Sequence, residues 1–140
     1  MKKILIILLA LISILLVLAW LNSRQQTNHE GILQITTPDG KMKNLQALPK
    51  KELQTITTSK GEMQVVAVST LLKKNLNSDN WQNLIFYSSD GAQVQINRTE
   101  LPLLYLSQIT KNQENYLRLI IPSDSFSQRW LKKINRIALQ

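Results

Sequence analysis

Glycine stands at the centre of three polar interruptions that cut the chain into short apolar runs: Pro38-Asp39-Gly40, Ser59-Lys60-Gly61 and Ser89-Asp90-Gly91. Gly tolerates positive φ and Asp bonds its own backbone, so each is a turn signal. The most legible lies in "LIFYSSDGAQVQI", Leu84 to Ile96, where an apolar run leads into Asp90-Gly91 and alternation resumes at Val94 and Ile96. It reads as strand, turn, strand, and the turn builds the sheet. "ILQITTPDGKMKNL" and "LQTITTSKGEMQVVAV" read as two more hairpin units, and "YLRLIIP", Tyr116 to Pro122, as a buried strand. Helical signals fall between them. Pro49 opens a short turn in "LPKKEL", and Ser69 caps a helix through "TLLKKNL" with Leu71, Leu72 and Leu76 inward and Lys73 and Lys74 outward. Thr99 caps a short helix in "ELPLLYL", which Pro102 curtails. The expectation is an α+β fold in which one small mixed α/β domain, with short sheets and hairpins, occupies residues 32–140.

Ahead of that domain, "ILIILLALISILLVLAWL", Ile4 to Leu21, is apolar except for Ser13. As a helix it would span roughly 27 Å, near the hydrocarbon thickness of a bilayer. It exceeds a secretory apolar core, and Ala19-Trp20-Leu21 is a poor cleavage site, so residues 1–24 are expected to be an uncleaved transmembrane signal-anchor. Lys2 and Lys3 precede the run and Arg24 alone follows it. The positive-inside rule then predicts a single-pass protein of the cytoplasmic membrane, N-terminus inside and domain outside. Residues 25–31 read as a polar linker, which holds His29.

The chain carries a net charge of +8, of which Lys2, Lys3 and Arg24 supply three, leaving +5 beyond them (8 − 3). A surplus of that size suits anionic lipid or a polyanionic envelope polymer, and an external location argues against nucleic acid. The densest basic group is Arg129, Lys132, Lys133 and Arg136, spaced i, i+3, i+4 and i+7. In the same stretch Trp130, Leu131, Ile134, Ile137 and Ala138 fall on one face of a helix. Trp130 is expected to be buried, and Arg118 to leave its strand opposite Leu117 and Leu119, toward an acid or an anion. Catalytic patterns are missing. There is no Cys and one His, no G-x-S-x-G elbow, no Walker A or Rossmann glycines, and the carboxylates Asp79, Asp90, Glu100 and Asp124 are scattered.

Taken in order, "LQALPKKELQTITT", the helix after Val68, "LIFYSSDGAQVQI", "YLRLIIP" and "RWLKKINRI" resemble the small molybdopterin-binding oxidoreductase domain, the cofactor domain of the sulfite oxidase family. The resemblance runs from Ile32 to Leu139 and rests on the order of the motifs. It implies a mixed α/β fold with several short sheets and a strand, preferred here to the helix, over Ile134 to Leu139. It also implies a pterin dithiolene holding molybdenum, with a Cys thiolate in the sulfite oxidase branch, a ligand this chain cannot supply. Arg129 and Lys132 match the family's end motif and are the candidate cofactor-binding residues, whereas "QENYLR" stands where the family has a His and a Gly. A reduced, non-catalytic relative follows, with no cofactor and no metal, acting as a binding or accessory module toward a protein or envelope polymer. The alternatives are a molybdopterin-dependent oxidoreductase or its subunit, and a structural subunit of an envelope assembly.

Overall fold

The computed structural model describes residue 4 and residues 10–19, 32–77 and 79–140. The chain divides into two units, Met1–Glu30 and Gly31–Gln140. In the first, residues 10–19 are helical. No helix among the described residues is long and apolar enough to cross a membrane. This corrects the expected transmembrane anchor, and the single-pass location that depended on it falls too. The remainder of residues 1–24, including Lys2, Lys3, Trp20 and Arg24, and the linker 25–31 with His29, lie outside the described residues.

The second unit is mostly β-sheet rather than an even mixture of helix and strand. Its strands are β1 (Leu33–Thr36), β2 (Met42–Leu45), β3 (Gln54–Thr58), β4 (Gly61–Ala67), β5 (Asn83–Ser88), β6 (Gln93–Asn97), β7 (Tyr105–Lys111), β8 (Glu114–Ile120) and β9 (Lys132–Leu139). Little helix forms in this unit, which corrects the α+β expectation. "LPKKEL" makes only a 3-10 turn, Lys50–Glu52. Pro102 lacks an amide hydrogen and holds the next segment to a 3-10 turn, Arg98–Leu103, after which Tyr105 opens β7. That turn is capped by Asn97, whose side chain accepts from the Thr99 amide, and not by Thr99. The closing segment, whose apolar spacing fits a helix face, forms the strand β9.

The helix Val68–Asn75 forms as expected, with Leu71 and Leu72 buried and Lys73 and Lys74 exposed. Its N-cap is Ala67, without a side-chain cap, so Ser69 lies inside the first turn. The three glycine turns each close an antiparallel hairpin, joining β1 to β2, β3 to β4 and β5 to β6. Gly91 has φ 91°, which a side chain would resist. A fourth hairpin joins β7 to β8 through Asn112 and Gln113, both with φ positive, at 52° and 66°. Two left-handed central residues match the right-handed strand twist, and Asn is the non-glycine residue that best tolerates them.

The sheet runs β2-β1-β9-β8-β7-β4-β3, with β5 paired to β9 and β6 to β5. β5 lies along one edge of β9 from Ile134 to Leu139, so the other edge is shared: β8 pairs antiparallel at Lys132 and Ile134, and β1 pairs parallel at Arg136 to Ala138. β9 is therefore where the sheet forks. Two residues of β9 are skipped by its partners. Lys133 lies between Lys132, opposite Arg118, and Ile134, opposite Leu117. Asn135 lies between Ile134, opposite Ser88, and Arg136, opposite Tyr87. Each extra residue is a β-bulge. The second returns Ile137 to the core, where it joins Leu33, Ile35, Phe86, Leu106 and Leu117, all fully buried.

Candidate functional site

The end motif that carries Arg129 and Lys132 runs from the loop before β9 into its first residues. Arg129 is held by carboxylates on both sides: its Nε and Nη2 donate to Asp124 Oδ2 and Oδ1 at 3.0 and 2.7 Å, and its Nη1 donates to Glu100 Oε2 at 2.8 Å. The guanidinium fork matches a carboxylate with two parallel bonds. Arg129 thus ties the loop that precedes β9 to the Arg98–Leu103 turn. Hydrogen bonding to Arg129 holds the Asp124 carboxyl below the usual carboxylate range, and the two acids raise the Arg129 pKa further.

Trp130 is buried, as expected, with 5% exposure, and its Nε1 donates to the Ile121 carbonyl at 2.8 Å. Two cations flank the ring: Lys60 Nζ at 5.3 Å and the Arg118 guanidinium carbon at 5.5 Å from its centroid. The negative face of an indole favours them. Arg118 forms no ion pair among the described residues, and its Nε is buried without a hydrogen-bond partner, so the ring takes the place of the expected acid.

Lys132 and Lys133 sit at the first bulge. The Lys132 carbonyl accepts from Ser88 Oγ at 2.7 Å, which fastens the bulge to the β5–β6 hairpin. Lys133 has φ 56°, the left-handed region, where a bulge of this kind ordinarily places glycine. Its Nζ lies 3.3 Å from Glu114 Oε2, with both side chains exposed. Among the described residues neither Lys111 nor Lys132 forms an ion pair.

Three open depressions meet at this point. One, of about 340 Å³, lies on the Arg129 side and is lined by Lys132, Asp90, Gln93 and Trp130 among others. A second, of about 310 Å³, is lined by Lys111, Asn112, Glu114, Tyr116, Lys132 and Lys133. The third, of about 340 Å³, shares Glu114, Tyr116 and Lys133 with the second and adds Ser89, Asn115 and Asn135. Asp90 keeps its turn role, accepting from the Ala92 amide at 3.3 Å, and also lines the first depression.

The basic helical face expected from Arg129, Lys132, Lys133 and Arg136 is therefore dispersed. Arg129 faces two acids, and the Arg136 guanidinium carbon lies 4.0 Å from the Tyr87 ring centroid. Lys132 and Lys133 remain together and gain Lys111 from the end of β7. The reason is β9: a bulged strand, unlike a helix, sends neighbouring residues to different surfaces. Sequence reading missed Lys111 and Tyr116. Asn112 was the one local sign of the hairpin that carries them.

The left-handed Lys133 supplies a direct test of the bulge. Lys133→Gly and Lys133→Ala both lose the exposed pair with Glu114, but only glycine relieves the backbone. Lys133→Gly should be the more stable of the two by about 1 kcal/mol, the reverse of their order in a regular strand. Urea midpoints of the two variants check this, and an Ala variant at or above Gly would mean that position 133 carries no left-handed strain.

No family model matches the chain, and no curated protein matches it. Nor does the site fit the molybdenum pterin expected from the order of the sequence motifs. A protein thiolate is impossible without Cys, and Arg129 presents its donors to Asp124 and Glu100 instead of to a phosphate. Among the described residues there is no group of three or more His, Cys, Asp or Glu side chains placed to hold a metal ion.

Proposed function

We infer that residues 32–140 form a non-catalytic binding module, a cofactor-free relative of the molybdopterin-binding domain, whose contact surface is the bulged start of β9. The observation that carries this reading is the meeting of three open depressions at Lys132 and Lys133, with Lys111 beside them and a non-glycine residue held left-handed at their junction. Backbone held in a sparsely populated region tends to mark a place where geometry serves recognition. The free cations favour a partner bearing negative charge.

Two measurements test the reading. Purified from a host able to make the pterin cofactor, the full chain should contain no molybdenum by elemental analysis; near-stoichiometric metal would overturn the cofactor-free assignment. The full chain should also bind an acidic polymer with an affinity that falls as salt is raised, because exposed charges are screened over roughly 8–10 Å near physiological ionic strength. Failure to bind any acidic polymer would remove the binding surface.

A further inference from the structure

We propose that the two depressions on the Tyr116 side of the bulge form a binding site for an acidic saccharide, a sugar chain carrying carboxylate or phosphate groups. The proposal rests on the binding-module reading and names its ligand. The two depressions share Tyr116, Glu114 and Lys133, so they make one trough with a cationic end and a neutral end. Lys111 and Lys132 stand at the cationic end, while Asn115, Asn135 and Ser89 line the neutral one. Each depression, about 310 and 340 Å³, is at the lower end of the range small-molecule sites occupy.

The chemistry of the lining selects the ligand. Sugar hydroxyls both donate and accept, and Asn amides and Ser hydroxyls are the side chains that answer in both senses. The C–H face of a pyranose ring packs on the π face of an aromatic ring, and Tyr116 lies midway between the two ends. Lysine ammonium groups meet the acidic substituent as point charges. Glu114 pairs with Lys133 at 3.3 Å and can also accept from sugar hydroxyls, donors that polyphosphate and the DNA backbone lack. Single-stranded nucleic acid would also call for a series of aromatic platforms, and the trough supplies one.

Titration of the full chain with oligogalacturonate and with a sugar-phosphate polymer tests the carboxylate and phosphate forms, against dextran, inorganic polyphosphate, duplex DNA and phosphatidylglycerol vesicles. At least one acidic saccharide should bind about tenfold or more tightly than dextran and than polyphosphate, and joint Lys111→Gln and Lys132→Gln substitution should weaken it by roughly 10- to 100-fold. Asn135→Ala, at an exposed bulge position, should weaken saccharide binding several-fold while leaving any polyphosphate binding unchanged. An unaltered urea midpoint in each variant shows that the fold is intact. Polyphosphate, DNA or vesicles bound as tightly as the saccharides, or an Asn135→Ala variant that binds saccharide like the parent, would overturn the saccharide assignment and leave the binding module standing. Absence of binding to every acidic probe would overturn both.

Discussion

Trp130→Ala is expected to cost the domain about 3–5 kcal/mol, the usual range for emptying a buried aromatic site. The ring is 5% exposed, has Lys60 and Arg118 within 5.5 Å of its centroid, and its Nε1 satisfies the Ile121 carbonyl. Truncation removes apolar contact, leaves that carbonyl without its donor, and takes the aromatic ring away from the Arg118 guanidinium. A domain of ordinary stability has about 5–15 kcal/mol in all, so the loss is a large share of the total. Trp130→Phe separates the terms: it keeps a ring for the cations and loses the indole hydrogen bond, so it should cost about 1–3 kcal/mol. Chemical denaturation of both variants measures the difference. A Trp130→Ala midpoint equal to that of the parent would show that the ring is not part of the core.

Arg129→Ala should destabilise by about 2 kcal/mol, less than the loss of a fully buried pair because the Arg129 side chain is 34% exposed. Three charge-assisted hydrogen bonds disappear, and Asp124, whose side chain is 13% exposed, loses both donors. The pH dependence gives the test its sign. Asp124 is depressed below its ordinary value of 3.8 by Arg129 in the folded state. Its contribution is present above that value and is lost as pH falls below 3.8 through the folded pKa. The parent should therefore lose stability as pH falls below that value, and Arg129→Ala should flatten the loss. An acid limb that stays equally steep would place the responsible carboxylates elsewhere. A parent stable to acid would show that Asp124 is not depressed.

Much of the architecture is legible from short stretches because its causes are local. A glycine that accepts positive φ makes a turn wherever the flanking runs can pair, so the hairpins at Gly40, Gly61 and Gly91 follow from neighbouring residues. The helix at Val68–Asn75 follows from its leucine and lysine spacing, and burial of Trp130 from the apolar surface it must hide. At Ile4 to Leu21 composition suits a bilayer, yet no helix among the described residues is long and apolar enough to cross one.

The closing segment shows where local pattern stops. Ile134 and Ile137 are three apart, a spacing that reads as one face of a helix, yet both are buried in a strand because Asn135 is an extra residue in the pairing with β5. A bulge shifts the period of two by one, and no residue near Asn135 announces it. Ile134 to Leu139 is therefore a strand, against the helical spacing of its apolar residues.

The site is less legible still, because its members meet through register. Lys111 and Glu114 reach Lys132 and Lys133 only when β7 pairs with β8 and β8 with β9, and Arg129 is neutralised by Glu100, twenty-nine residues away. The turns, one helix, the basic surplus and the absence of a thiol follow from residue type or near neighbours. That β9 is a bulged strand where the sheet forks, and which cations remain without an ion pair among the described residues, depend on hydrogen-bond and ion-pair partners distant in the chain.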